Sequence, residues 1–127
     1  MAVLLLDTKI VIAIVNGKTA RLRDRLCGAI NDPENELVVS VASLWEMVIK
    51  CCLGKLALTI PPGDIPAYLA GGAITLRAVD KDQVLARMIP EPDTRDPFDR
   101  LPLALCTVDT LKLVTTDAAL CDHPLAY

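Results

Sequence analysis

The stretch Val3-Leu4-Leu5-Leu6-Asp7-Thr8 is a short apolar run that stops abruptly at two polar residues. Continuous apolar runs of this length are typical of strands that are covered on both faces, as in a parallel sheet. The next segments are longer, and Leu22, Leu26 and Ile30 recur every four residues with arginines between them. That spacing predicts an amphipathic helix over 18–30, so the chain begins as an α/β protein.

The same pattern of short apolar runs and longer amphipathic segments continues to the end of the chain. Further strands are predicted at 37–40, 74–79 and 111–115. Other helices are predicted at 10–15, 43–53, 64–69, 80–88 and 98–108, with a short last helix after Asp117. This order predicts one domain over residues 1–127, a three-layer α/β/α sandwich with a central parallel sheet of four to five strands.

Composition narrows the class of protein. The chain has 127 residues, of which 53% are hydrophobic and 23% charged, and this excludes a disordered polypeptide. Its net charge of −3 argues against binding nucleic acid by bulk attraction. No apolar run is long enough to span a membrane, and Asp7 interrupts the first run too early for a secretion signal. The five cysteines, an odd number without a C-x-x-C pair, are expected to be buried thiols of a cytoplasmic protein.

A second informative stretch is Arg95-Asp96-Pro97-Phe98-Asp99-Arg100, which places two carboxylates three residues apart. Asp96 as N-cap, Pro97 as first helical residue and Asp99 as third are what the start of a helix favours. The other interpretation is an acidic site on the first turn of that helix. Taken alone, the stretch does not decide between the two.

Three other acids occupy comparable positions along the chain. Asp7 follows the first predicted strand, Asp117 follows the fourth, and Glu46 lies one turn into the helix after the second. The ends of parallel strands meet at one edge of a sheet, where ligands bind, so these three are predicted to converge. Asp99 joins them only if its helix, which precedes a strand, begins on the same side. The alternative is that each acid merely caps a helix.

If the four acids converge, their mutual repulsion is costly and favours a bound divalent cation. Hard carboxylate oxygens without histidine or cysteine indicate Mg²⁺ or Mn²⁺. Hydroxyl side chains near these acids are candidates for orienting the ligands, namely Thr8, Ser43, Thr115 and Thr116.

Together these residues resemble the PIN domain family, and specifically the VapC-like toxins of type II toxin–antitoxin systems. The segments that carry the resemblance are Leu4-Leu5-Leu6-Asp7-Thr8, Val41-Ala42-Ser43-Leu44-Trp45-Glu46 with Ile49-Lys50 and Gly54-Lys55-Leu56, Arg95 to Leu101, and Leu113-Val114-Thr115-Thr116-Asp117. They span nearly the whole chain. The segments containing Trp45 and Phe98 are specific in combination, whereas the first and last strands alone are weak signals.

The resemblance implies a Mg²⁺- or Mn²⁺-dependent endoribonuclease that cleaves RNA phosphodiesters with a metal-activated water. By matching positions it implies that Asp7, Glu46, Asp99 and Asp117 are the catalytic and metal-binding residues. It also implies a small cognate antitoxin as partner and a homodimer. Asp96 is an additional acid in this version of the motif, and is a candidate for supporting the site or capping the helix.

Some positions depart from the family pattern. Lys9 stands where many relatives have histidine or asparagine, and it can pair with Asp7, contact phosphate or compete with the metal. Pro102 and Cys106 stand where the helix of the family usually has aliphatic and small residues. The resemblance therefore does not predict how this helix packs. The alternative to a nuclease is therefore a non-catalytic PIN-fold binding module that has lost turnover, and Lys9 is its best support.

Basic residues are candidates for guiding RNA, and the single tryptophan raises a separate question. Arg95 and Arg100 flank the acids, and either of them can instead pair with a neighbouring carboxylate. The more distant candidates are Arg21, Arg23, Arg25, Lys50 and Lys55, of which the first three also suit an ordinary solvated helix face. Trp45 is expected to pack in the core, because a single tryptophan in an aromatic-poor chain usually does.

Overall fold

The computed structural model describes residues 2–127, and a parallel sheet lies at its centre. Its strands are β1 (Val3–Leu6), β2 (Glu36–Ser40), β3 (Thr75–Arg77) and β4 (Lys112–Val114). They pair in the order β3-β2-β1-β4, and every pairing is parallel. Leu5 of β1 stands opposite Val38 of β2 and Leu113 of β4, so β1 is central. The parallel sheet predicted from the apolar runs is confirmed, with four strands.

Helices connect the strands. They are α1 (Thr8–Val15), α2 (Asp24–Asn31), α3 (Val41–Cys52), α4 (Ile65–Gly71), α5 (Lys81–Leu85) and α6 (Pro97–Asp109). Two short 3₁₀ helices lie at Thr19–Arg21 and Pro62–Asp64. Asp7 caps α1 and Ser40 caps α3, so each of these helices starts directly from the end of a strand.

Both faces of the sheet are covered. Side chains alternate along a strand, so Leu4 and Leu6 face one layer while Leu5 faces the other. The first layer contains residues of α1 to α4, such as Ile10 and Met47. The second is formed mainly by α6. This arrangement confirms the predicted three-layer sandwich, and it explains why β1 reads as a continuous apolar run.

Pro102 and Cys106 pack well on the inner side of α6. Both are buried, Pro102 within the second turn of the helix and Cys106 one turn further on. Burial raises the pKa of the Cys106 thiol to about 12, so this thiol remains protonated. The unusual residues of this helix are therefore compatible with its fold.

Several predicted helix boundaries are wrong. The segment 18–30 is split, because Leu22 is extended between the 3₁₀ turn and α2. The helix predicted at 80–88 ends at Leu85, because the backbone of Ala86 is extended. The short helix predicted after Asp117 is a series of turns, and Ala126 forms a single parallel bridge with Leu113.

Trp45 contradicts its prediction. Its side chain is 63% exposed and contacts Phe98 edge to face, with ring centroids 5.8 Å apart. The buried side of α3 is lined by small and unbranched side chains, Ser43, Glu46 and Met47, which leaves the indole on the opposite side. Leu53 is also exposed, at 62%.

The cysteines follow their prediction only in part. All five are free thiols, but Cys52 is exposed and three others are half-buried. Within residues 2–127, no helix is both long and apolar enough to cross a membrane.

Candidate functional site: an acidic pocket at the sheet edge

Asp7 is fixed at the end of the central strand. Its backbone N–H donates to the carbonyl of Val114 in β4 (3.0 Å), which ties it to the neighbouring strand. Its Oδ1 accepts the backbone N–H of Thr8 (2.8 Å), and its Oδ2 accepts the Thr115 hydroxyl (2.7 Å). The side chain is 5% exposed, so a buried carboxylate is held here by two strand ends.

Glu46 reaches the same place from α3. The helix starts at Val41 with Ser40 as its cap, two residues before the predicted start at 43. Ser43 is buried in the first turn, with its Oγ 3.0 Å from Thr8 Oγ1. Glu46 lies one turn later, where Oε1 accepts the Thr8 hydroxyl (2.7 Å) and Oε2 pairs with Lys50 Nζ (2.6 Å).

The start of α6 contributes two more acids. Asp96 is the N-cap, as predicted, and its Oδ1 accepts the N–H of Phe98 (2.9 Å). Asp99 lies in the first turn, and its Oδ2 accepts the Thr94 hydroxyl (3.1 Å). The two interpretations of this stretch, a helix cap and an acidic site, are thus compatible. Asp96 accepts a backbone N–H of the helix, while Asp99 faces the other acids.

Asp117 lies just beyond β4. Its N–H donates to Thr115 Oγ1 (3.0 Å), and its Oδ1 accepts the N–H of Ala119 (2.9 Å). Thr115 is therefore a shared support, since it donates to Asp7 and accepts from Asp117. Thr116, the other candidate hydroxyl, is exposed.

These side chains line one pocket of about 200 Å³, which we call the acid pocket. Its lining consists of Asp7, Thr8, Lys9, Glu46, Lys50, Asp96, Asp99 and Asp117. The structure thus brings together the four acids singled out in the sequence. Asp99 joins them because α6 begins on the side of the sheet where β1 and β4 end. The catalytic and metal-binding roles of these four acids remain predictions.

The acids influence one another electrostatically. Burial raises the pKa of Asp7, and the charges of Glu46 and Asp117 raise it further, against the hydrogen bonds from Thr115 and Thr8. Partial burial likewise raises the pKa of Asp99, with additional contributions from Asp117, Asp96 and Asp7. In contrast, the hydrogen bond to Glu46 raises the pKa of Lys50, which keeps its ammonium charged.

The donor set suits a hard divalent cation such as Mg²⁺ or Mn²⁺, because the lining ligands are carboxylate and hydroxyl oxygens. Within residues 2–127, however, no three acidic, histidine or cysteine side chains are close enough together to hold a metal as they stand. Each carboxylate is turned towards its own donor: Asp7 towards Thr115, Glu46 towards Lys50 and Asp99 towards Thr94. The chemical types of these residues suit the metal. Rotation of the carboxylate side chains would be needed for them to bind it together.

The basic candidates occupy different positions. Lys9 is exposed at the acid pocket and, in the described part of the chain, has no carboxylate in ion-pair contact. Arg100 is not directed at the acids, because its guanidinium pairs with Glu91 and donates to the carbonyl of Thr94 (3.1 Å). Arg95 is exposed beside the start of α6, and Arg25 stacks over the ring of Tyr127.

Two residues that contact the acids of the pocket are not predicted from the sequence. Lys50 was considered only as a guide for RNA, although a lysine four residues after a glutamate on one helix is a recognisable pairing signal. Thr94 is not among the hydroxyl side chains predicted to support the site. Its hydroxyl reaches Asp99 because the loop folds back onto α6, and no sequence pattern indicates such a turn.

Comparison with known proteins agrees with this geometry. The family model described as PIN domain matches residues 4–124, which is nearly the whole chain. A search of curated proteins finds no significant match. PIN domains are generally metal-dependent nucleases and typically use a divalent metal. With four acids of separate elements gathered at one edge of its parallel sheet, the chain belongs to the PIN domain family.

Proposed function

We propose that the protein is a metal-dependent endoribonuclease, the toxin component of a toxin–antitoxin pair. The observation that carries this proposal is the convergence of Asp7, Glu46, Asp99 and Asp117 on one pocket, in a chain whose family is generally nucleolytic. Carboxylates that line one pocket repel one another, and a bound cation would relieve this repulsion. Helix capping accounts for Asp7 and Asp96 but not for the buried Glu46.

In this proposal the four acids hold Mg²⁺ or Mn²⁺. The metal held by these acids would supply a bound water of lowered pKa as nucleophile and a positive charge to balance the charge that develops on the phosphate. The chain itself orients the ligands, since Thr115 and the N–H of Thr8 hold Asp7, and the Thr8 hydroxyl holds Glu46. These supports are buried and keep Asp7 and Glu46 at the pocket, where rotation of the carboxylates would present their oxygens to the metal.

Basic residues guide the substrate in this proposal. Lys9 is exposed at the acid pocket, and this position supports a role in contacting phosphate over a role in inactivation. Arg95, exposed one residue before the cap of α6, is a second candidate. Arg100 is not proposed to contact RNA, because its guanidinium already contacts Glu91 and Thr94 of the loop before α6.

The proposed partners follow from the toxin assignment. RNA as substrate, a small antitoxin and a homodimer are expected from the resemblance of the Ser43-Leu44-Trp45-Glu46 and Arg95 to Leu101 segments to VapC-like toxins. A strongly acidic pocket suits an antitoxin that inserts an arginine or lysine. The exposed apolar side of α3, with Trp45 and Leu53, is available for a protein contact.

The test is a cleavage assay with end-labelled structured RNA. The wild type should cleave with Mg²⁺ or Mn²⁺ and leave 5′-phosphate and 3′-hydroxyl ends, and EDTA should abolish cleavage. Asp7→Asn should be inactive although it folds. Cleavage that survives EDTA or Asp7→Asn would exclude the proposed mechanism. A protein that binds RNA but never cleaves it would instead be the non-catalytic module.

A further inference from the structure

Lys50 holds an unusual position for a helix-surface lysine. It lies four residues after Glu46 on α3, a spacing that commonly places an exposed ion pair along a helix. Here the glutamate is 8% exposed, and the lysine lines the acid pocket together with Asp7, Asp96 and Asp99. The pair therefore lines the pocket, with the Glu46 side chain 11% exposed and the Lys50 side chain 39% exposed.

Both carboxylate oxygens of Glu46 are engaged. Oε1 accepts the neutral hydroxyl of Thr8 at 2.7 Å, and Oε2 contacts the ammonium of Lys50 at 2.6 Å. A hydroxyl can stay in place when a metal binds, because it carries no net charge. An ammonium cannot share the same oxygen with a divalent cation without strong repulsion.

We propose that Lys50 is a built-in counter-ion that competes with the divalent metal for Glu46 and so weakens metal binding. This inference rests on the proposed function, since it assumes that the acid pocket takes a metal. In the absence of the metal, Lys50 neutralises one of the four converging charges. When the metal binds, the ammonium must leave Oε2, and this separation lowers the net affinity.

Lys9 provides a matched control. It lines the same pocket and carries the same charge, but it is exposed and, within residues 2–127, pairs with no carboxylate. Lys9→Met and Lys50→Met therefore remove equal charge from one pocket. Only Lys50→Met also removes a direct contact with an acid, so the difference between the variants isolates the competition.

The experiment is calorimetric titration of Mn²⁺ into the full-length wild type, Lys50→Met, Lys50→Arg and Lys9→Met, with folding checked by circular dichroism. We expect Lys50→Met to bind Mn²⁺ about tenfold more tightly than the wild type, because a cation in direct contact with a ligand has been removed. Lys9→Met should change the affinity by less than about threefold, because solvent screens its charge. Lys50→Arg should remain close to the wild type.

Equal or weaker Mn²⁺ binding by Lys50→Met would overturn the inference, since it would mean that Lys50 merely holds Glu46 in position. If Lys50→Met does not fold, Lys50→Arg together with Lys50→Gln provides the same comparison. If neither the wild type nor any variant binds Mn²⁺, the proposed function fails as well. That result differs from equal Mn²⁺ affinity of the wild type and Lys50→Met, which would contradict the inference about Lys50 alone.

Discussion

The two walls of the acid pocket differ in how firmly they are held. The inner wall, Asp7 and Glu46, is buried and held by hydrogen bonds from Thr8 and Thr115. The outer wall, Asp99 and Asp117, is half-buried, and Asp99 depends on one hydroxyl from the 86–96 loop. The difference teaches that burial and hydrogen bonds from buried threonines hold the inner wall firmly, whereas the half-buried outer wall has more freedom to adjust.

The largest expected effect distinguishes the acids of the two walls. Asp7→Asn should reduce metal-dependent cleavage by at least about 100-fold, because the buried carboxylate has no water to replace it. Asp99→Asn should reduce it less, since water can enter a half-buried position. Initial rates at saturating Mn²⁺ check this prediction. A lower cleavage rate for Asp99→Asn than for Asp7→Asn would contradict this prediction, because the outer wall would then matter more than the inner wall.

The supporting threonines provide the next comparison. Thr115→Val leaves Asp7 Oδ2 and the N–H of Asp117 without their partner, so it should cost about 1–3 kcal/mol in the free energy of unfolding. It should also weaken Mn²⁺ binding by about 10–100-fold. Thr94→Val removes a half-buried contact of Asp99, and its loss of stability should stay within about 0.5 kcal/mol.

Urea denaturation and Mn²⁺ titration measure both effects. Thr116→Val is a suitable control, because Thr116 is the exposed neighbour of Thr115. Equal losses for Thr115→Val and Thr94→Val would mean that the inner wall is no better supported than the outer wall.

Stability should depend on pH through Asp7. Burial raises its pKa in the folded protein above the ordinary value of 3.8, so the folded state holds this proton more tightly than the unfolded chain does. The carboxyl therefore contributes stability below pH 3.8, and this contribution is lost as the pH rises through the raised value. Asp7→Asn cannot ionise, so its stability relative to the wild type should increase as the pH rises above 3.8 and through the raised pKa of Asp7.

Thermal melts in EDTA at several pH values measure this gain. The corresponding gain for Asp99→Asn should be smaller, because Asp99 is less buried. A pH-independent difference between Asp7→Asn and the wild type would contradict the raised pKa.

The smallest expected effect concerns the loop behind the outer wall. Arg100→Met removes the ion pair with Glu91 and the hydrogen bond to the carbonyl of Thr94, both partly exposed. It should cost at most about 1 kcal/mol in the free energy of unfolding. Hydrogen exchange should nevertheless rise in the 86–96 loop and stay unchanged around Asp7. Unchanged exchange in the loop would mean that Arg100 does not hold it.

The sequence predicts the positions of Asp7 and Asp117 better than the position of Asp99, for a physical reason. Asp7 and Asp117 follow apolar strands, and parallel strands bring such residues to one edge whatever the loops do. Asp99 precedes a strand, and its arrival at that edge depends on where α6 starts. That start is set by the irregular 86–96 loop, which was partly mistaken for helix.

Side-chain partners were harder to predict than positions. The cap at Asp96 is a local feature, and local sequence predicts it well. The contacts of Thr115 with Asp7 and of Thr94 with Asp99 depend on backbone geometry between separate elements, so residue type alone indicates Thr115 as a candidate and does not indicate Thr94. Trp45 is predicted in the core on frequency alone, whereas the buried residues of α3 are Ser43, Glu46 and Met47.

Anomalous diffraction from crystals soaked in Mn²⁺ tests most directly whether the acid pocket is a metal site. The account predicts a manganese peak within coordination distance of Asp7 and of at least one of Glu46, Asp99 and Asp117, with the ammonium of Lys50 moved away from Glu46. A manganese peak only elsewhere on the protein, with the Lys50–Glu46 pair intact, would contradict it.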